Sequence, residues 1–141
     1  MKSPAVGDRR SGIGGPAGVC EATRGGRDMA DTLGAFQRTV SVHDLARWRH
    51  AAQTHLVVDV REPAELAICR LDRAWPIPMS QIPDNVERLP RDRPIVVMCH
   101  HGIRSAQVVD YLRQAGMANA VNLQGGIDAW AREIDPAMAV Y

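Results

Sequence analysis

Pro94-Ile95-Val96-Val97-Met98-Cys99-His100-His101-Gly102-Ile103-Arg104-Ser105 is the stretch that decides the fold. Its first part is short, continuously apolar and rich in β-branched residues, and it follows a proline. That is the pattern of a strand covered on both faces in a parallel sheet. From Ser105 to Gly116 the apolar spacing turns helical, and Gly116 falls where a left-handed residue closes a helix. A cysteine therefore ends a strand, a short loop with a glycine follows, and a helix begins. The backbone N–H groups of such a loop converge on its centre, and the helix start adds partial positive charge. Arg104 adds a full one. Each favours thiolate over thiol, and the thiolate is the nucleophile. The alternative reading of Cys99 is a buried structural thiol, a common place for a free cysteine.

The same alternation of strand and helix extends outward. Ser41-Val42-His43-Asp44 has the form of a capping box opening a short helix, with Leu45, Ala46 and Trp48 on its apolar side. Leu56 to Val60 reads as a strand, and Pro63 suits the first turn of a second short helix. Residues 69–78 form an irregular connection with a short strand near Trp75 to Ile77. Pro78 and Pro83 bracket a loop, after which a helix is expected near Asp84–Leu89. Ala120 to Leu123 is another core strand. Gly125-Gly126 turns the chain into a final helix over 127–133. The expected class is α/β: a small parallel β-sheet of four to five strands with helices on both faces. Its site belongs at the carboxyl ends of the strands.

The chain has 141 residues, 45% of them hydrophobic and only 4% aromatic, so aliphatic side chains must fill one core. The net charge of +1 indicates neither nucleic acid nor an acidic partner. Three cysteines without paired spacing argue against a disulfide framework and fit a reducing, cytoplasmic location. No apolar run is long enough to span a membrane, and no ordinary secretory signal opens the chain. Residues 1–36 hold most of the glycines and show no periodicity; they are expected to form a disordered tail, with order over 37–141.

Further stretches complete a pattern. They are Val57-Val58-Asp59-Val60-Arg61-Glu62-Pro63-Ala64-Glu65-Leu66, Ala74-Trp75-Pro76-Ile77-Pro78 and Asn122-Leu123-Gln124-Gly125-Gly126-Ile127-Asp128-Ala129-Trp130. With the Cys99 loop, and in this order, they resemble the rhodanese family of sulfurtransferases over the region from about Arg38 to Tyr141. In that family a cysteine opens the active-site loop, an arginine closes it, and the cysteine carries sulfur as a persulfide. Related phosphatase-type loops place five residues between cysteine and arginine. Four lie between Cys99 and Arg104, a spacing that favours sulfur transfer over phosphate hydrolysis.

The resemblance implies that Cys99 and Arg104 are the catalytic pair. His100, His101, Gly102, Ile103 and Ser105 form the cradle for the donor. Asp59 and Arg61 support the loop. Arg104 has two readings: it stabilises the thiolate and an anionic donor, or it ties the loop to a carboxylate. Asp59 either orients the loop or caps a turn, and Arg61 is expected to pair with Glu65 at helical spacing on the surface. His100 and His101 are expected to point apart, which disfavours a metal; no cofactor is expected. Cys69 is read as a small packed residue or as a resolving thiol, and Cys20 as having no role. The implied partners are a small sulfur donor, such as thiosulfate or a low-molecular-weight persulfide, and a sulfur-acceptor protein. A persulfide carrier with little thiosulfate turnover, a regulatory module and a small phosphatase or arsenate reductase are the competing classes.

Overall fold

The computed structural model describes residues 37–141. The expected tail over 1–36, with Cys20, lies outside the described residues. The strands are β1 (Thr39–Val40), β2 (Leu56–Asp59), β3 (Trp75–Pro76), β4 (Ile95–Met98) and β5 (Ala120–Leu123). They form one sheet in the order β1-β5-β4-β2-β3. Every pairing is parallel: Val58 lies opposite Val97 and Trp75, and Val97 lies opposite Asn122.

The helices are α1 (Val42–His50), α2 (Pro63–Leu66), α3 (Ile82–Asn85), α4 (Ile103–Gln114) and α5 (Gly126–Glu133). The Ser41 hydroxyl accepts from the Asp44 N–H at 3.0 Å and the Asp44 carboxylate accepts from the Ser41 N–H, so the expected capping box opens α1. Its buried side is Val42, Leu45 and Trp48. Pro63 opens α2. The helix expected near Asp84–Leu89 starts earlier: Pro83 lies within the first turn of α3, where its missing N–H costs nothing, and a 3-10 turn over Val86–Arg88 follows.

β4 sits in the middle of the sheet, and Ile95, Val96, Val97 and Met98 are all wholly buried. Alternation along the strand directs Ile95 and Val97 to one face, where they share a core with Val58, Val108, Val109 and Leu112. Val96 and Met98 face the opposite way and are covered as completely. Leu45, Trp48, Ile127 and Trp130 are among the buried side chains of α1 and α5, two helices that contact each other. Covering a Val or Ile on either face is worth roughly 1.5–3 kcal/mol. The strand that ends in Cys99 is thus fixed from both sides before the loop begins.

Candidate active site

Cys99 follows the last residue of β4 and is 1% exposed. Its Sγ accepts from the Gly102 N–H at 3.1 Å and the Ser105 N–H at 3.4 Å, and the Ser105 hydroxyl lies 3.3 Å away. Burial pushes the thiol pKa up, but the Ser105 hydroxyl and the N–H groups of Ser105, Gly102 and Arg104 outweigh it. The net direction is downward, toward thiolate.

Two glycines make this cradle possible. Gly102 adopts φ +102° and caps α4, so the helix begins at Ile103 and Arg104 stands in its first turn. Gly126, at φ +62°, presses against the loop: a Cβ there would lie 2.4 Å from the His100 carbonyl oxygen and 2.5 Å from that of Cys99. The next two amides of α5 hold those same oxygens, Ile127 N–H on Cys99 at 2.9 Å and Asp128 N–H on His100 at 3.0 Å. The loop is gripped through its backbone.

Arg104 makes a two-pronged contact with Glu65, both N···O distances being 2.8 Å. That fork is the chief reason the Glu65 carboxyl falls to about 2; burial opposes it, while the Glu62 N–H and the Tyr141 hydroxyl assist. The loop-tying role expected of Arg104 is therefore present, and its charge is already matched by a carboxylate. The groups holding Sγ directly are amides and a hydroxyl.

Arg61 is not the surface partner of Glu65. Its side chain is wholly buried, because it precedes α2 and points inward from the end of β2. It clasps Asp59 with N···O distances of 2.7–3.1 Å and donates to the Cys69 carbonyl at 2.8 Å and the Tyr141 hydroxyl at 2.9 Å. Tyr141 passes the connection on, donating to Glu65 at 2.9 Å. A continuous polar chain therefore runs Asp59–Arg61–Tyr141–Glu65–Arg104. Asp59 serves as the buried counter-charge at its start, and Cys69 contributes its carbonyl while its thiol, in no disulfide, lies 3.9 Å from Arg61 Nη1.

His100 and His101 do not point apart: their ring centroids are 3.8 Å from each other, and Tyr141 stacks on His100 at 3.8 Å and 5°. The His100 Nε2 is buried without a partner. Donor atoms of His100, His101 and Asp128 all lie within 4.8 Å of one another, so this corner has the ligand types to take a cation. Ile103 is 71% exposed.

Three participants were not assigned to the site from sequence. Glu65 stands within a quoted motif, and its position three residues after Glu62 was a visible cue. Asn122 interrupts an otherwise apolar buried strand, and such a residue needs partners. Tyr141 carried no local signal.

A parallel sheet with a thiol at the end of its central strand, held by loop amides and closed by an arginine, defines a small α/β domain with a cysteine-bearing loop at its strand ends. The sequence model of the rhodanese-like domain matches residues 41–133, and the chain belongs to that family. It is 44% identical over 84 residues to a sulfurtransferase of Allochromatium vinosum, covering 60% of this chain and 78% of that protein. It is 38% identical over 105 residues to the probable adenylyltransferase/sulfurtransferase MoeZ of Mycobacterium tuberculosis, covering 73% of this chain. There it spans only about a quarter of the relative's length, 27%. Among solved structures, a rhodanese-related protein of Thermoplasma volcanium superimposes with a TM-score of 0.62 at 37% identity, covering 69% of this chain and 93% of that one. Among the described residues no helix is long and apolar enough to cross a membrane.

Proposed function

We propose that the protein is a sulfurtransferase that moves sulfane sulfur through a persulfide on Cys99. The observation that carries this reading is the Cys99 sulfur, buried at a strand end and held toward thiolate by the amides of Gly102 and Ser105. In the first half-reaction a thiolate lone pair attacks the outer sulfur of thiosulfate or a small persulfide. The donor's S–S bond breaks, its electron pair leaves with sulfite or a thiolate, and Cys99 becomes Cys99–S–S⁻. In the second half-reaction an acceptor attacks the outer sulfur and the Cys99 thiolate is regenerated. This is covalent, two-step chemistry. The loop amides hold negative charge on the outer sulfur as an oxyanion hole holds it on oxygen. Arg104, clamped by Glu65, closes the cradle and offers a cationic edge to an anionic donor. No cofactor enters either step, and the reaction suits a reducing, cytoplasmic setting.

A second reading is favoured by the relatives' names. The chain matches one part of proteins that are both adenylyltransferase and sulfurtransferase. On that reading the domain is a persulfide carrier that hands sulfur to an acceptor protein and turns over thiosulfate poorly. Mass spectrometry after treatment with thiosulfate, or with a small persulfide, tests both. An added mass of about 32 Da on Cys99 is expected. Cyanide-dependent turnover with thiosulfate marks the enzyme, and loading from a persulfide alone marks the carrier. Absence of the adduct with either donor refutes sulfur transfer.

A further inference from the structure

Ser105 is wholly buried and its hydroxyl stands between two groups that both call on its single proton. One is Cys99 Sγ at 3.3 Å. The other is Asn122 Oδ1, reached by a short hydrogen bond. The orientation of the Asn122 amide is not free, because its Nδ2 donates to the Gly102 carbonyl at 3.1 Å. Oδ1 must therefore face Ser105. It can only accept, so Ser105 must donate to it.

While Cys99 is a thiol, every hydrogen-bonding group is satisfied in one direction: Cys99 S–H donates to Ser105 Oγ, and Ser105 O–H donates to Asn122 Oδ1. A thiolate has no proton to give. The Ser105 hydroxyl must then either swing to the sulfur, leaving a buried carbonyl oxygen unpaired, or stay with Asn122 and leave the thiolate its amides alone. Both choices cost more than ionisation would without Asn122.

We propose that Asn122 is a positioning residue for the Cys99 nucleophile, acting through the Ser105 hydroxyl: it holds that proton and so favours the thiol. The consequence for the proposed reaction is a switch in hydrogen bonding. Ser105 turns to the sulfur when the nucleophile ionises. Once Cys99 carries a second sulfur, its inner sulfur has no charge and only weak acceptor power, and the hydroxyl returns to Asn122. The negative charge then sits on the outer sulfur among the loop amides. Without Asn122 the thiolate forms more readily but is a weaker nucleophile, because nucleophilicity falls with thiol pKa.

The other charged and titratable groups around the sulfur are Arg104 with Glu65 and Tyr141 behind it, His100 and His101 on the loop, and Asp128 on α5. Asp59 and Arg61 of the β2 end are paired with each other. None of them touches the Ser105 hydroxyl or the Asn122 amide in the contacts above, so a variant at Asn122 reads the relay.

The inference rests on Cys99 being the nucleophile, and its test is independent of sulfur transfer. Iodoacetamide alkylation of Cys99 is measured across pH in the wild type, in Asn122→Val, in Ser105→Ala and in the double variant. Asn122→Val is expected to lower the Cys99 pKa by about a half to one unit, a three- to tenfold gain in thiolate below the pKa. In the Ser105→Ala background the same substitution is expected to move it by no more than about a fifth of that. A shift of equal size in both backgrounds overturns the proposal, because it assigns the effect to a loosened Gly102. So does an unchanged or raised pKa in Asn122→Val alone. Should the valine variant not fold, Asn122→Ala, which adds no branched side chain, carries the same comparison. Failure of the persulfide assay with the relay intact would count against the sulfur chemistry and not against Asn122.

Discussion

Replacing Glu65 by glutamine isolates the fork that closes the Cys99 loop. The substitution keeps the shape but swaps one acceptor oxygen for an NH₂ group, which meets an Arg104 N–H head to head. The Glu65 carboxyl is lowered from the ordinary 4.5 to about 2. At about 1.4 kcal/mol for each tenfold change that gap corresponds to roughly 3 kcal/mol. The Glu65 side chain is 19% exposed and that of Arg104 34%, so solvent screens part of the interaction. The loss expected at neutral pH is about 1–2 kcal/mol. The sign of its pH dependence follows from the depressed carboxylate. Its contribution is complete above 4.5, falls away as pH drops toward about 2, and is gone below. Wild type and Glu65→Gln should therefore differ in urea unfolding at pH 7 and converge only as the pH falls below about 2. A difference that stays constant from pH 7 to the acid end would refute the fork as its source.

Three other outcomes follow from the same geometry. Cys99→Ser should abolish sulfur transfer and leave the urea midpoint nearly unchanged, since the swap is close to isosteric; retained turnover would remove Cys99 from the reaction. Arg104→Ala should keep the alkylation pKa of Cys99 within about half a unit, whereas Arg104→Lys should still slow single-turnover transfer by tenfold or more. The amides, not the guanidinium, hold the sulfur, whereas a lysine cannot reproduce two parallel bonds; a larger pKa change would mean that the Arg104 charge governs the thiolate. Gly126→Ala should cost more than about 2 kcal/mol in urea unfolding, because its methyl would stand 2.4 Å from the His100 carbonyl oxygen; wild-type stability would show that the loop yields without resistance.

The parts of this fold that were legible in the sequence are those with short-range causes. β4 was readable because a strand covered on both faces must be apolar throughout, and the Cys99 loop because a strand, a glycine and a helix adjoin it. The capping box at Ser41 is likewise a matter of neighbours. Arg61 was misplaced because a spacing of four to Glu65 suggests one helix face, whereas the helix starts only at Pro63. The residue two places after Asp59 on extended backbone is instead free to fold back on it. Pro83 marks the edge of a loop in the sequence pattern, but proline equally suits the first turn of a helix, and that is where it lies. The ring that stacks on His100 beside His101 is that of Tyr141, which arrives from far along the chain. No local pattern encodes a contact between Arg61 and Tyr141, separated by 80 positions.

That the Cys99 cradle is made chiefly of main-chain amides has a consequence for how such a domain can change. His101 and Ile103 present exposed side chains on the loop, and the sulfur is held by neither. On the proposed function, those positions are open to exchange for a different donor or docking protein without altering the hydrogen bonds to the sulfur. The glycines that shape the main chain have no such freedom. A designer seeking new specificity would randomise the two exposed side chains and leave Gly102 and Gly126 untouched.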